Sequence, residues 1–264
     1  MKRTDIPQAP KDKSKPIAAS QIDRLSEPCR NLLLLSLPSR EYDLVRPYLE
    51  AVELPHHLIL HQPAEKIEFA YFLNEGLASL VVLTRDGRSV EVAIVGKEGM
   101  VGTALAVGLR QEPCRAIMQM PGSALRIKSD VLEKMLLIAP ELRLILNRYV
   151  LLKGLQVAQI AACNRLHAIE QRLARWLLMC QDRVDSELLP VTHEFLAQML
   201  GTGRPSVSLA AGDLQRAGLI QNLRGTVRVL DRKSLEDSAC ECYRAIQHFS
   251  SLSLTTKKKG SISL

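Results

Sequence analysis

Between residues 51 and 128, apolar and polar positions alternate in short runs that are separated by turn residues. Alternation with a period of two is typical of β-strands that bury one face. Asp86 and Gly87 stand between two such runs, and an Asp-Gly pair in that position favours a β-hairpin. Because the runs are short and regularly interrupted, they predict an antiparallel β-domain that closes as a barrel or a jelly roll.

The pattern changes at Pro140, where apolar positions begin to recur at alternating spacings of three and four residues. This seam consists of Leu142, Ile145, Tyr149, Leu152, Gln156, Gln159, Cys163 and Leu166. The spacing is typical of a coiled coil, so we expect one long helix that dimerises along the seam. Gln156 and Gln159 interrupt the seam. They either mark a loose, solvated stretch or form a polar site across the dimer that responds to a bound effector.

Residues 192–220 predict two short amphipathic helices joined by a tight turn. Thr192 is a typical N-cap residue, and Gly201 has the permissive backbone that a sharp reversal requires. The second helix begins at Arg204, where Pro205 is tolerated because first-turn amides have no partner within a helix. The two buried stripes are Leu196, Met199 and Leu200, then Val207, Ala210, Ala211 and Leu214. A preceding amphipathic helix over 167–180 carries Trp176 in the core beneath them.

A β-hairpin is predicted directly after these helices. Val227 and Val229 alternate with Thr226 and Arg228, and Arg224 begins the turn between the two strands. Without this hairpin, an ordinary pair of helices with solvated arginines would explain the segment almost as well. With it, the segment is typical of a winged helix-turn-helix that binds DNA.

The side chains expected to face DNA are the short, polar and basic ones left outside the buried stripes. They are Thr192, His193, Thr202, Gly203, Arg204, Pro205, Ser206, Ser208, Leu209, Arg224 and Arg228. Leu209 offers only an apolar contact, such as one to a thymine methyl group.

The chain has 264 residues, of which 47% are hydrophobic, and this composition supports two domains with cores of their own. A formal net charge of +7 favours a polyanionic partner. No segment approaches the roughly 20 uncharged apolar residues of a membrane helix, and no signal-peptide core is evident. We therefore expect a cytoplasmic protein with no membrane segment and with basic tails at both ends.

The six cysteines are scattered along the chain without a CxxC pair, so they predict neither a disulfide framework nor a preformed zinc site. Cys240 and Cys242 are interpreted as ordinary thiols, and the alternative is a redox-responsive or metal-responsive pair. At a spacing of two residues they would point to different faces of a helix. His61 is interpreted as a solvated strand histidine, and we expect no metal and no cofactor.

With these motifs in place, residues 54–230 resemble the CRP/FNR superfamily of bacterial transcription regulators. The matching positions are Thr192, Leu196, Ala197, Gln198, Gly201, Arg204, Val207, Leu214, Leu219 and Ile220. The resemblance implies a homodimer that binds an inverted-repeat DNA site and acts with RNA polymerase, and it assigns a guanine contact to Arg204. Pro205 and Leu209 replace a base-contacting glutamate and a second arginine, so the operator sequence of the family does not transfer.

The resemblance also names the β-domain as a cyclic-nucleotide-binding-like jelly roll. Gly102 matches the glycine of the phosphate-binding cassette, but Thr103 replaces its ribose-binding glutamate. Arg115 lies one position from the expected arginine and lacks the serine after it. We therefore expect an unknown small-molecule effector other than cyclic AMP, or none. The effector pocket would comprise Gly102, Thr103, Ala104, Cys114, Arg115, Gln156 and Gln159.

The sequence therefore predicts an α+β protein in five parts. These are a basic tail over 1–26, a jelly-roll sensor over 27–139, a dimerisation helix over 140–166, a winged helix-turn-helix domain over 167–235, and a C-terminal helix and tail over 236–264. The predicted function is sequence-specific DNA binding, and the alternative is a ligand-binding module that acts on a protein partner. No catalytic motif is present, so we expect no enzymatic activity.

Overall fold

The computed structural model describes residues 28–254. The tails predicted over 1–26 and at the C-terminal end lie outside the described residues. The first elements are α1 (Leu32–Leu35), α2 (Ser39–Val45) and a 3₁₀ turn (Arg46–Tyr48). Buried Asn31 caps α1, because its side-chain oxygen accepts hydrogen bonds from the amides of Leu33 and Leu34.

Eight strands form two four-stranded antiparallel sheets. The strands are β1 (Glu50–Leu54), β2 (Ile59–His61), β3 (Phe69–Leu73), β4 (Leu77–Leu83), β5 (Ser89–Val95), β6 (Met100–Val101), β7 (Arg115–Met120) and β8 (Gly122–Lys128). One sheet has the order β1-β8-β3-β6 and the other β2-β7-β4-β5. These non-sequential orders confirm the predicted jelly roll. The predicted hairpin is β4–β5, and its Gly87 has a φ of +83°.

Three helices follow the jelly roll: α3 (Ser129–Ile138), α4 (Pro140–Leu166) and α5 (Ile169–Val184). The DNA-binding region comprises β9 (Leu188–Leu189), α6 (His193–Leu200), α7 (Arg204–Arg216), β10 (Ile220–Leu223), β11 (Thr226–Val229), α8 (Arg232–Ser238) and α9 (Cys242–Leu254). The wing hairpin is β10–β11, and β9, which the sequence pattern did not reveal, pairs with β11 as a third strand.

Five of the eight residues predicted for the seam of α4 are buried within the same chain, so most of this seam is not open to a second chain. Leu142, Ile145 and Tyr149 are buried against α1, α3 and strands of the jelly roll, and Cys163 is buried against Cys240 of the same chain. The apolar face that α4 leaves exposed is a different one. It consists of Leu144, Leu151, Leu155, Ala158 and Ala162. Their spacing of seven, four, three and four residues also fits a heptad repeat. The two faces have the same period, so periodicity did not distinguish them.

A single hydrophobic core joins the jelly roll to the DNA-binding region. Leu77, Val81 and Ile94 of β4 and β5 belong to the same buried cluster as Leu196 of α6 and Ala210 of α7. Trp176 lies within this cluster, as expected for a core residue. Among the residues that the structure describes, no helix is both long and apolar enough to cross a lipid bilayer.

Candidate nucleic-acid interface and sensor cassette

The turn between α6 and α7 is held by local hydrogen bonds. The Thr192 hydroxyl accepts a hydrogen bond from the Phe195 amide at 3.1 Å, which caps α6. Gly201 adopts a φ of +59°, and a Cβ atom there would lie 3.0 Å from the side chain of Val90. Glycine is therefore favoured both by the backbone conformation and by the close approach of β5.

The outward face of α7 is open to solvent. Arg204, Pro205, Ser206 and Ser208 are exposed, and Leu209 is 62% exposed. The predicted buried stripe of α7 is entirely buried, which confirms the orientation of the helix. Thr202 is half-buried and Gly203 is exposed at the N-terminus of α7, where no side chain caps the helix. The structure thus brings the predicted contact residues of α7 onto one accessible surface.

His193 connects both helices to the wing. Its Nδ1 lies 3.0 Å from the Ser208 hydroxyl, and its Nε2 lies 3.3 Å from Oδ1 of Asn222 in β10. The Asn222 amide nitrogen donates to the Ala211 carbonyl, which leaves its oxygen to accept from the histidine. His193 and Ser208 are therefore engaged with each other, and Asn222 is a member of this site that the sequence pattern did not reveal.

The basic groups of this surface are not neutralised by neighbouring carboxylates. Within the described part of the chain, Arg204, Arg224 and Arg228 form no ion pair, whereas Arg216 at the far end of α7 pairs with Asp213. Arg224 is exposed at the wing turn, and Arg228 is half-buried beside it. This distribution leaves positive charge at the start of α7 and along the wing, as binding to phosphates requires.

In the jelly roll, the cassette helix is a 3₁₀ helix over Thr103–Val107 that begins after Gly102, whose φ is +88°. The Glu112 carboxylate accepts hydrogen bonds from the Thr103 hydroxyl at 2.7 Å and from the Ala104 amide at 2.8 Å. Its side chain is only 9% exposed. A carboxylate of the chain itself therefore occupies the amide-rich end of this helix, where an anion would otherwise bind.

His61 contacts the same carboxylate. Its Nε2 lies 3.5 Å from Glu112, and burial lowers the pKa of the imidazole although the nearby carboxylate opposes that shift. The prediction of a solvated histidine is therefore wrong, because β2 turns His61 into the jelly roll. Arg115 donates from Nε to the side-chain oxygen of Gln62 at 2.9 Å, and Cys114 is half-buried.

Gln156 and Gln159 hydrogen-bond to a different part of the molecule. Gln156 donates to Ser250 at 2.8 Å, and Gln159 donates to Cys242 Sγ at 3.1 Å, so both side chains hydrogen-bond to α9. Gly102, Thr103, Ala104, Cys114 and Arg115 stay together on the segment from β6 to β7. The interpretation as a loose, solvated stretch is wrong for Gln156, which is buried and hydrogen-bonded, while a site across the dimer stays a prediction.

Buried charges connect the jelly roll to the DNA-binding region. Glu91 of β5 accepts a hydrogen bond from Trp176 Nε1 at 2.7 Å and is also bonded by Ser79. Burial raises the pKa of Glu91 to about 7, against the opposing effect of its hydrogen bonds and of Arg175 and Arg183. Arg183 of α5 pairs with Glu98 at 2.7 Å. Strand β5 and helix α5 are thus joined by polar as well as apolar contacts.

Two family models match the chain in separate segments. The model described as "Cyclic nucleotide-binding domain" matches residues 51–138. The model described as "Crp-like helix-turn-helix domain" matches residues 171–238. The first segment contains the whole cassette with Glu112, and the second contains α6, α7 and the wing.

Relatives of known description share this arrangement. The global nitrogen regulator of Synechocystis sp. (strain ATCC 27184 / PCC 6803 / Kazusa) is 23% identical over 199 residues, which cover 71% of this chain and 86% of that protein. The structure of FixK2 from Bradyrhizobium japonicum has a TM-score of 0.64 at 16% identity, covering 73% of this chain and 98% of its own. The structure of the c-di-GMP responsive global regulator CLP of Xanthomonas campestris has a TM-score of 0.61 at 16% identity. The match covers 73% of this chain and 99% of that one.

Proposed function

This chain belongs to the CRP/FNR family of transcription regulators, and on that premise we propose that it binds an inverted-repeat operator as a homodimer. The observation that carries the proposal is the open surface of α7 and the wing, where three arginines have no carboxylate partner among the described residues. A surface of this charge lowers the free energy of a protein close to DNA phosphates. Bound at such a site, the protein would act on transcription by RNA polymerase.

The residues of this surface have different roles in the proposed complex. Arg204, at the start of α7, enters the major groove and donates to a guanine, while Arg224 and Arg228 on the wing contact phosphates. Thr192, Thr202, Gly203 and Ser206 approach the backbone or base edges from the two helix N-termini. Pro205 and Leu209 offer apolar contacts. His193 and Ser208 hold α7 against α6 and the wing, since their polar atoms are already bonded within the protein.

The proposed dimer uses the exposed face of α4 in place of the seam that periodicity suggested. Leu144, Leu151 and Leu155 are between 41% and 65% exposed in the single chain, and Ala158 and Ala162 continue their stripe. Leucines at heptad positions need a partner surface to remove them from water, and a second α4 supplies an identical one. Alanines at the end of the stripe allow two helices to approach closely.

For the sensor, we propose that cyclic AMP is not the effector. Glu112 already accepts the hydrogen bonds of Thr103 and Ala104, so a cyclic phosphate would have to displace a buried carboxylate of the same charge. Any effector would act by population shift, binding one arrangement of the two protomers better than the other. Calorimetry with cyclic AMP and with c-di-GMP tests this directly, and cyclic AMP binding that tightens operator binding tenfold would contradict it.

The experiment for DNA binding is selection of operators from random duplexes with the full chain and with Arg204→Ala. The expected wild-type motif is an inverted repeat with half-sites about 10 base pairs apart, centre to centre. Loss of the bidentate contact should weaken binding by about 1–3 kcal/mol and relax the preference at one base pair per half-site.

Arg216→Ala is the matched control, because Arg216 lies at the other end of the same helix and is paired with Asp213. It should leave the selected motif unchanged. A motif without two-fold symmetry, or one that Arg216→Ala relaxes as much as Arg204→Ala does, would contradict the proposal.

A further inference from the structure

Four residues that could ligate a metal lie together where the end of α4 meets the start of α9. They are Cys163, His167, Cys240 and Cys242, and one ligand atom from each lies within 4.8 Å of every other. The Sγ atoms of Cys163 and Cys240 are 3.4 Å apart, and Cys242 Sγ lies 3.6 Å from His167 Nδ1. All three thiols are buried.

The fold assembles this cluster from distant segments. Cys163 is in the last turn of α4, His167 ends the same helix, Cys240 lies between α8 and α9, and Cys242 begins α9. The expectation that Cys240 and Cys242 point to different faces of one helix does not apply, because Cys240 precedes α9 and only Cys242 lies within it. Cysteines that are scattered along the sequence are therefore close together in the fold.

The geometry fits a tetrahedral zinc ion. Sulfur atoms that are each about 2.3 Å from a tetrahedral zinc ion lie roughly 3.8 Å from one another, so the observed spacing needs only a small adjustment. Three thiolates and one imidazole form a donor set typical of structural zinc sites. Because the protein supplies four ligands, no coordination position is left for a substrate, and the ion would have a structural role.

Side chains around the cluster hold its ligand atoms in an orientation that suits a cation. Nε2 of His167 lies 3.2 Å from the Glu241 carboxylate, so this nitrogen donates to the carboxylate and Nδ1 is left with its lone pair toward the thiols. The side chain of Gln159 donates to Cys242 Sγ at 3.1 Å. Such second partners fix the orientation and protonation state of metal ligands in known sites.

Positive charge lies beside the cluster. Arg172 and Arg175 are both close enough to Cys163 to interact with it electrostatically. Binding of a divalent cation would release the thiol protons, and the two arginines would offset the negative charge of three thiolates around one Zn²⁺ ion.

We propose that Cys163, His167, Cys240 and Cys242 bind one Zn²⁺ ion, which fastens α9 to the end of α4 where the DNA-binding region begins. The site joins residues that are 77 positions apart in the chain. A cross-link between such distant segments removes conformational freedom mainly from the unfolded chain, and it therefore stabilises the folded one. It also fixes the joint between α4 and α5, and with it the direction in which α6 and α7 project.

The first test measures the zinc content of the full chain, purified without chelators, together with a thiol count after denaturation. One zinc per chain is expected, and Cys240→Ser and Cys163→Ser should each abolish it. Cys180→Ala is the matched control, because Cys180 is a buried cysteine of α5 outside the cluster, and it should retain the zinc. Glu241→Gln and Gln159→Leu leave all four ligands in place and should weaken zinc affinity about tenfold each.

Because a ligand variant can fail to fold, the wild-type chain provides a second measurement. Cobalt exchanged into the site should show thiolate charge-transfer and tetrahedral d–d absorption, and removal of zinc by a chelator should lower the melting temperature. Wild-type protein with six free thiols and no metal would overturn the proposal. A disulfide between Cys163 and Cys240 in freshly purified protein would overturn it as well, since that bond consumes two of the ligands.

Discussion

Two helices of this protein each begin after a glycine and have opposite surroundings. Helix α7 follows Gly203, whose backbone is extended, and the 3₁₀ helix of the cassette follows Gly102, whose φ is +88°. Neither glycine has a side chain that could cap the helix after it. At α7 the first turn is exposed beside Arg204. In the cassette, Glu112 closes the first turn from inside the protein.

The difference shows how one physical property is used in two ways. Amides at the start of a helix attract negative charge, whether it comes from a phosphate or from a carboxylate of the same chain. Where the first turn of a helix is exposed to solvent and lies beside positive charge, it can bind an external polyanion. Where a buried carboxylate of the same chain accepts hydrogen bonds from these amides, the start of the helix has its partners and the contact stabilises the fold. If α7 is open and the cassette is closed, substitutions at the two sites should have different effects.

The largest effect is expected at the exposed stripe of α4, because an open α7 can occupy two half-sites only in a dimer. Leu151→Asp would place an unpaired charge in the proposed interface, at a cost of about 3–5 kcal/mol. Analytical ultracentrifugation should show a monomer with more than hundredfold weaker operator binding. Leu137→Asp, at an exposed leucine of α3, is the control and should stay dimeric. If the Leu151→Asp variant remained dimeric, the interface would have to lie elsewhere.

The next effect concerns Glu91, which joins the two regions. Its folded pKa of about 7 lies above the ordinary 4.5, so between these values the folded protein keeps a proton that the unfolded chain releases. The free energy of unfolding should therefore decrease as pH rises through this window. The decrease is roughly 3 kcal/mol, at about 1.4 kcal/mol per pH unit. Denaturant unfolding of the wild type and of Glu91→Gln measures it, and an equal slope in both would refute the assignment.

A smaller effect is expected at the closed helix. Glu112→Ala removes the acceptor of the Thr103 hydroxyl and of the buried Ala104 amide, and it should cost about 1–3 kcal/mol of stability. Glu112→Gln keeps one acceptor oxygen and should lose less. Thermal denaturation compares the three proteins. If Glu112→Ala were as stable as the wild type, the carboxylate would not be what closes the cassette.

The smallest effect is expected at the tip of the wing. Arg224→Ala should weaken binding to all DNA sequences about equally, by less than about 1 kcal/mol per protomer, and reduce the slope of log affinity against log salt by roughly 1 per protomer, or roughly 2 per dimer. Titrations on the selected operator and on unrelated DNA measure both quantities. A loss confined to the operator would instead make Arg224 a base-contacting residue.

The DNA-binding region could be predicted from the sequence because its signals are local. Thr192, Gly201 and the stripe of α7 act within one or two helical turns, and the wing follows without a gap. The hairpin at Gly87 was predictable for the same reason. Strand β9 was not, because two residues that pair with β11 carry no periodic pattern.

The features that could not be predicted from the sequence depend on contacts between separate segments of the chain. The two faces of α4 share a heptad period, and only the packing of Tyr149 on the sensor and of Gln156 on α9 shows which face is internal. The role of Glu112 depends on the loop after the cassette helix, which has no periodic pattern and returns this carboxylate to Thr103 and Ala104. The approach of Cys163 to Cys240 likewise depends on the docking of α9 along α4.

The core shared by β4, β5, α6 and α7 means that the two regions do not have separate stabilities. Residues such as Val81 and Leu196 belong to one buried cluster, so separating the jelly roll from the DNA-binding region would expose apolar surface on both. Unfolding should therefore be one cooperative transition across residues 28–254, without an intermediate in which one half stays native. Cells that degrade partly unfolded chains would then remove the sensor and the DNA-binding region together.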